Sequence, residues 1–152
     1  MLHYQANPEL PEDNSVLACG KHTDYGVLII LLQDEVGGLE VQTKENEWIK
    51  APPIPGTFVV NLGDMLEIWT GGLYQATWHR VQAPHCDRYS IPFFFDPGLD
   101  TIIEPIAQED AEVSVKSLEK KFDVQLPVLF KDYSMKKYVL NLGEKDERKS
   151  SS

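Results

Sequence analysis

The first hundred residues are built from short runs of branched and aromatic side chains: Val16–Cys19, Val27–Leu32, Gly38–Gln42, Glu47–Lys50, Thr57–Asn61, Met65–Trp69, Thr77–Gln82 and Tyr89–Phe95. Most are separated by turn-forming residues, as in Asp34-Glu35-Val36-Gly37-Gly38, Pro52-Pro53-Ile54-Pro55-Gly56, Gly63-Asp64 and Gly71-Gly72. Short strands spaced by about 8–12 residues with turn signals between them predict a sandwich or a barrel. Glu45-Asn46-Glu47 reads as a hairpin tip. Val27–Leu32 is continuously apolar rather than alternating, as expected of a strand covered on both faces. Eight such strands with few helices fit a mainly β jelly roll, whose two facing sheets leave a mouth where a small ligand can sit.

After Pro105 the pattern changes. Glu109–Phe122 is charged and carries Val113, Leu118 and Phe122, with Asp110 or Ser114 as candidate caps. Pro127–Leu140 carries Val128, Leu129, Tyr133, Tyr138 and Val139 on a helical spacing, and Lys136-Lys137 near its end suit the helix dipole. The segment 144–152 is charged and rich in small residues, the composition of a disordered tail.

Composition narrows the class. With 14 Lys+Arg against 24 Asp+Glu the net charge is −10, which argues against a general nucleic-acid binder. The longest apolar run, Val27–Leu32, is six residues, whereas a membrane helix needs about 20. Met1–Gln5 shows no basic start followed by an apolar stretch. Two cysteines, Cys19 and Cys86, make no disulfide framework. A cytoplasmic protein with reduced thiols is expected.

Four features point to chemistry. His22-Thr23-Asp24 places an imidazole and a carboxylate two residues apart, on one side of an extended chain. His79 follows 57 residues later in the strand-like stretch Ala76–Val81. Arg88 and Ser90 lie beyond it and share a strand face. There a guanidinium can clamp a carboxylate with two parallel bonds and a hydroxyl can add a third. Two His and one carboxylate on one face of a metal, with other positions open, form the ligand set of a non-haem Fe(II) oxygen-activating enzyme.

These residues sit within longer stretches: Cys19-Gly20-Lys21-His22-Thr23-Asp24-Tyr25-Gly26, Gly37-Gly38-Leu39-Glu40-Val41, Trp48-Ile49, Pro55 to Asp64, His79-Arg80-Val81 and Arg88 to Phe95. Together they resemble the iron- and 2-oxoglutarate-dependent dioxygenases, in the branch shared with isopenicillin N synthase and plant flavonoid, gibberellin and ethylene-forming oxidases. The resemblance implies a double-stranded β-helix with C-terminal helices. It implies His22, Asp24 and His79 as iron ligands, and Arg88 and Ser90 as binders of the distal carboxylate of 2-oxoglutarate. Tyr4 falls where the family often has Asn-x-Tyr and would add a cosubstrate contact, although Leu2 replaces that Asn and Gln5 the usual following Pro. The implied activity couples oxidative decarboxylation of 2-oxoglutarate, with O2, to hydroxylation or desaturation of a small organic substrate. Members of this branch are usually about twice this length, so residues 1–143 read as a catalytic domain lacking the usual N-terminal half. An exposed sheet face, pairing through homo-oligomerisation, and iron binding more reliable than turnover are the expected consequences.

Among other residues, Phe94 should share the face of Arg88 and Ser90 and contact substrate, with Phe93 and Phe95 on the opposite face. Trp48, Trp69 and Trp78 read as core, Asn61 as a turn cap in preference to a pocket residue, Cys19 as buried filler, His3 and His85 as surface residues, and Cys86 as inert. Two alternatives stand beside the main reading. One is an isopenicillin N synthase-like oxidase that uses no 2-oxoglutarate, in which Arg88 and Ser90 would hold the substrate's own carboxylate. The other is a non-catalytic jelly-roll binding module.

Overall fold

A computed structural model describes residues 1–11, 15–106 and 113–149, with side chains described up to residue 139. Seven of the eight expected strands, together with Leu2–Tyr4, form two facing four-stranded antiparallel sheets. The first runs β1 (Leu2–Tyr4), β8 (Arg88–Phe95), β3 (Leu28–Gln33), β6 (Val59–Leu62). The second runs β2 (Leu17–His22), β7 (His79–Gln82), β4 (Leu39–Gln42), β5 (Trp48–Lys50). This is the mainly β, jelly-roll architecture that the turn-punctuated sequence implies.

Register decides which side chains face the space between the sheets. Tyr4 lies opposite Arg88, Leu2 opposite Ser90, Leu31 opposite Pro92, and Ile29 opposite both Phe94 and Asn61. These side chains line a common cavity from the first sheet. The alternate residues of the same strands face away. Ile91, Phe93, Phe95, Leu32 and Val60 are exposed, forming an apolar outer face.

Met65–Trp69, expected as a strand, is instead part of a short helix, α1 (Asp64–Trp69). A short apolar run fits either state by pattern alone. Here Gly63 donates to the Val27 carbonyl and Met65 to the Gly26 carbonyl, at 2.9 and 3.0 Å, which takes the chain out of the sheet and into the helix. A Cβ on Gly63 would stand 2.2 Å from the Gly26 oxygen, so the crossing demands glycine.

The C-terminal region is helical as expected, with shifted limits. In α2 (Val115–Phe122), Ser114 is the cap and its hydroxyl accepts from the Ser117 amide; Asp110 lies outside the described residues. A small pairing of β9 (Ile102–Ile103) with β10 (Val128–Leu129) precedes α3 (Phe130–Lys149). Helical backbone therefore continues through 144–149, where the composition suggests disorder; residues 150–152 lie outside the described residues.

Val27, Met65, Ile68, Ile103, Leu118, Phe122, Phe130 and Tyr133 form the main apolar cluster. It is built by the helices with β9 and the chain entering β3, and Trp69 packs against it. Trp78 is exposed and Trp48 half-buried, both beneath cations: Lys21 lies 4.7 Å from the Trp78 ring and Arg80 lies 4.1 Å from the Trp48 ring. Of the three tryptophans expected in the core, only Trp69 packs against this cluster; Trp48 and Trp78 lie outside it, held as cation–π platforms. None of the described helices is long and apolar enough to cross a membrane.

Candidate active site

The space between the sheets is a cavity of about 120 Å3. Cys19, His22, Leu39, Val41, Thr77, His79 and Val81 line it from the second sheet and its flanking chain. Cys19 pairs with Val81, but His22, three residues on, pairs with His79, only two residues back. The extra residue in β2 is a bulge, and it turns His22 to the same side as Cys19. The two imidazoles thereby meet, with ring centroids 4.2 Å apart. Cys19, expected as filler, lines the cavity with its sulfur 3.7 Å from His22 Nδ1.

Asp24 arrives by another route. It lies beyond the end of β2, so strand alternation does not place it. Its backbone carbonyl accepts from the Asp64 amide at 2.8 Å, and its carboxylate accepts from Asn61 Nδ2 at 2.7 Å. Asn61 thus differs from the turn role its sequence context suggests. Its place on β6, opposite Ile29, aims it into the cavity.

His22, Asp24 and His79 can each offer one ligand atom, all within 4.8 Å of one another. Asp24 oxygens stand 3.9 Å from His22 Nε2 and 3.4 Å from His79 Nε2. The other ring nitrogens lie against carbonyls: His22 Nδ1 is 2.7 Å from Gly20 O, and His79 Nδ1 is 3.0 Å from Thr77 O. Donating Nδ1–H to those carbonyls fixes the tautomers and leaves both Nε2 lone pairs for a cation.

Two imidazoles so close do not both become cationic readily. Burial opposes the charge on each. At His22 the Cys19 sulfur, the Gly20 carbonyl and Asp24 outweigh burial and push the pKa up to about 9. At His79 burial and the neighbouring His22 prevail, and the pKa falls.

Arg88 is the largest of the fully buried side chains, 1% exposed. Its Nε donates to the Gly37 carbonyl, one of its terminal nitrogens lies 3.4 Å from Ser90 Oγ, and its guanidinium carbon is 5.0 Å from the Tyr4 ring centroid. Burial, then Cys19, raises the Tyr4 pKa against the opposing pull of Arg88, so the phenol stays protonated. Among the described residues no carboxylate forms a salt bridge with Arg88. A buried cation without an anion is costly, and a ligand carboxylate entering the cavity would remove that cost.

The donor set suits Fe(II), since two imidazoles and a carboxylate on one side leave the rest of the coordination sphere open. The apolar lining beside Arg88 suits a dicarboxylate whose far end needs a cationic clamp. Phe94 lines the same cavity and is 50% exposed, while Phe93 and Phe95 face outward. His3 stacks on Tyr89 at 4.6 Å and pairs with Asp87, at a distance in the chain from the triad. Cys86 is exposed.

Comparisons with known proteins agree with this chemistry. The family model described as the 2OG-Fe(II) oxygenase superfamily matches residues 1–97. The chain is 44% identical over 110 residues to homoarginine-6-hydroxylase 2-ODD-233 of Oryza sativa subsp. japonica, covering 70% of this chain and 33% of the relative. It is 48% identical over 109 residues to 1-aminocyclopropane-1-carboxylate oxidase of Dictyostelium mucoroides, covering 70% and 30%. The solved structure of dioxygenase for auxin oxidation 1 from Arabidopsis thaliana, in its binary complex with 2-oxoglutarate, superposes with a TM-score of 0.62 at 37% identity, covering 75% of this chain and 42% of that one. The chain thus spans about a third of the length of the curated relatives it matches. With its jelly roll, its facing His–Asp–His donors and a family match over most of its length, this chain belongs to the 2OG-Fe(II) oxygenase superfamily.

Proposed function

We propose that the chain is the catalytic portion of an oxygenase that couples decarboxylation of 2-oxoglutarate to oxidation of a small organic substrate. The observation that carries this reading is one cavity lined by both a convergent His22–Asp24–His79 donor set and a buried Arg88 that has no ion-pair partner among the described residues. His22, Asp24 and His79 would hold Fe(II). Arg88 and Ser90 would clamp the distal carboxylate of 2-oxoglutarate, and Tyr4 would pack beside the clamp. Iron, when bound, supplies the O2 chemistry that this cavity's own side chains lack.

The protein's part is positioning. The carbonyls of Gly20 and Thr77 hold the imidazoles with Nε2 inward. Asn61 restrains the Asp24 carboxylate. Leu31, Val59, Leu39 and Val81 keep the cavity apolar, which strengthens the Arg88 contact by excluding water. Phe94, at the exposed end, is the substrate-side contact.

The ligand and clamp pattern supports placement in the isopenicillin N synthase-like branch. Cys19 and Cys86 form no disulfide, which is in keeping with the reducing cytoplasm. The apolar outer face around Phe93 and Phe95 suits pairing with a second copy. A second reading, oxidation without 2-oxoglutarate, is favoured by the same unpaired Arg88, which could hold a substrate carboxylate equally well.

Anaerobic titration with Fe(II) and then 2-oxoglutarate tests the assignment. A metal-to-ligand charge-transfer band is expected, and His79→Ala should abolish it. No band in the wild-type chain refutes the 2-oxoglutarate reading. Succinate release with O2 uptake separates the two enzymatic readings, and iron binding is expected to be more dependable than turnover. Absence of any iron affinity would leave a binding module.

A further inference from the structure

The two ligands nearest in sequence are separated by Thr23, a buried residue, 3% exposed, outside the cavity lining. Its hydroxyl lies 3.3 Å from the ammonium of Lys137, 114 residues away on α3. The same ammonium is 2.8 Å from Asp64 Oδ2, which also accepts from the Tyr133 hydroxyl at 2.7 Å. Asp64 is completely buried and its other oxygen, Oδ1, has no hydrogen-bond partner among the described residues. The orientation of this carboxylate therefore rests on two donors, both from α3. Burial, then Asp64 itself, drives the Tyr133 pKa far upward, so that hydroxyl stays a donor.

Asp64 is also the residue whose amide holds the Asp24 carbonyl, and it lies three residues after Asn61, whose side chain holds the Asp24 carboxylate. One ammonium is thus joined to the ligand loop twice: directly at Thr23, and through Asp64 to the backbone carbonyl of Asp24. We propose that Lys137 is a positioning residue for the metal site, and that α3 clamps the His22–Asp24 loop into its ligating geometry through the Thr23–Lys137–Asp64–Tyr133 network. The inference rests on the metal-site reading above and adds a role for the C-terminal helix, which contributes none of its described side chains to the cavity.

A purely structural tie is available for comparison. Lys121 of α2 pairs with the buried Glu67 of α1, gripping the same short helix without touching the ligand loop. Removing either lysine strips the cation from a buried carboxylate, so both variants lose stability. Only the Lys137 variant should disturb the ligands.

The experiment titrates the full 152-residue chain with Co(II). It reads affinity and the ligand-field spectrum, with melting of the metal-free protein in parallel. Lys137→Met is expected to bind cobalt about 10–100-fold more weakly with a shifted spectrum, the usual cost of losing support behind a metal ligand. Lys121→Met should melt earlier but bind with wild-type affinity and spectrum. If Lys137→Met binds like wild type, or if Lys121→Met is equally impaired, the proposal is overturned. Should Lys137→Met fail to fold, Thr23→Val decides. A severalfold loss of affinity at an unchanged melting temperature supports the clamp, and no loss refutes it. Wild-type protein that takes up no cobalt refutes the metal-site reading itself, and this inference with it.

Discussion

Arg88→Met is the most informative single change, because the structure predicts a large effect on binding and a small one on stability. The guanidinium is 1% exposed, bonded to the Gly37 carbonyl and close to Ser90, and joined by no carboxylate among the described residues. A hydrogen bond to a charged group contributes about 1.5–3 kcal/mol net. A bidentate grip on a ligand carboxylate in this apolar cavity, without full additivity, is worth about 3 kcal/mol, which is on the order of 100-fold in affinity. Methionine keeps much of the volume but not the charge, so 2-oxoglutarate should bind about 100-fold more weakly. Stability should respond differently. The variant loses the charged bond to Gly37, at a cost of about 1.5–3 kcal/mol, and is relieved of an uncompensated buried charge. The two terms oppose each other, and the metal-free protein should melt within a few degrees of wild type. Calorimetric titration of the anaerobic Fe(II) protein with 2-oxoglutarate, beside a melting curve, reads both quantities. Unchanged affinity would refute the clamp. Collapse of the fold would show that Arg88 is a structural cation instead.

Asn61→Ala frees one oxygen of Asp24 and should weaken metal affinity about 10-fold, at the low end of support behind a ligand; metal titration with a chelator competition reads it. Glu40 bears on acid stability. Burial works against its charge, but Gln82 and Arg80 outweigh burial and hold its pKa below the usual carboxylate range. The folded state thus binds this proton less readily than the unfolded chain, so the contribution is complete above the ordinary Glu value of about 4.3 and is lost as pH falls through the lower folded value. Glu40→Gln should flatten the decline of melting temperature below about pH 4.5, and an unchanged slope would show that this carboxylate is not responsible.

Much of the site was readable from residue types and spacing, for a physical reason. Arg88 and Ser90 lie two apart on a regular strand, and alternation alone puts them on one face. The turn-punctuated strands likewise dictate a closed β architecture, since each half-apolar strand must be covered. Alternation failed where the chain leaves regular structure. His22 faces the cavity because of a bulge, and Asp24 because of bonds from Asn61 and Asp64 beyond the end of the strand. The assumption of an extended His22–Asp24 pair therefore reached the right juxtaposition by the wrong geometry.

Local pattern determined that this chain would build sheets from Val27–Leu32 and Tyr89–Phe95, place helices after Pro105, and carry a His–Asp–His donor set with a guanidinium nearby. Tertiary structure alone decided that Met65–Trp69 would be helical, that Asn61 would reach a carboxylate, and that Lys137 would stand behind Thr23. The reason is range. Periodicity and turn chemistry act over a few residues, so they are written in the sequence. A bond spanning 37 or 114 residues exists only once the packing of separate elements has set the distance between them.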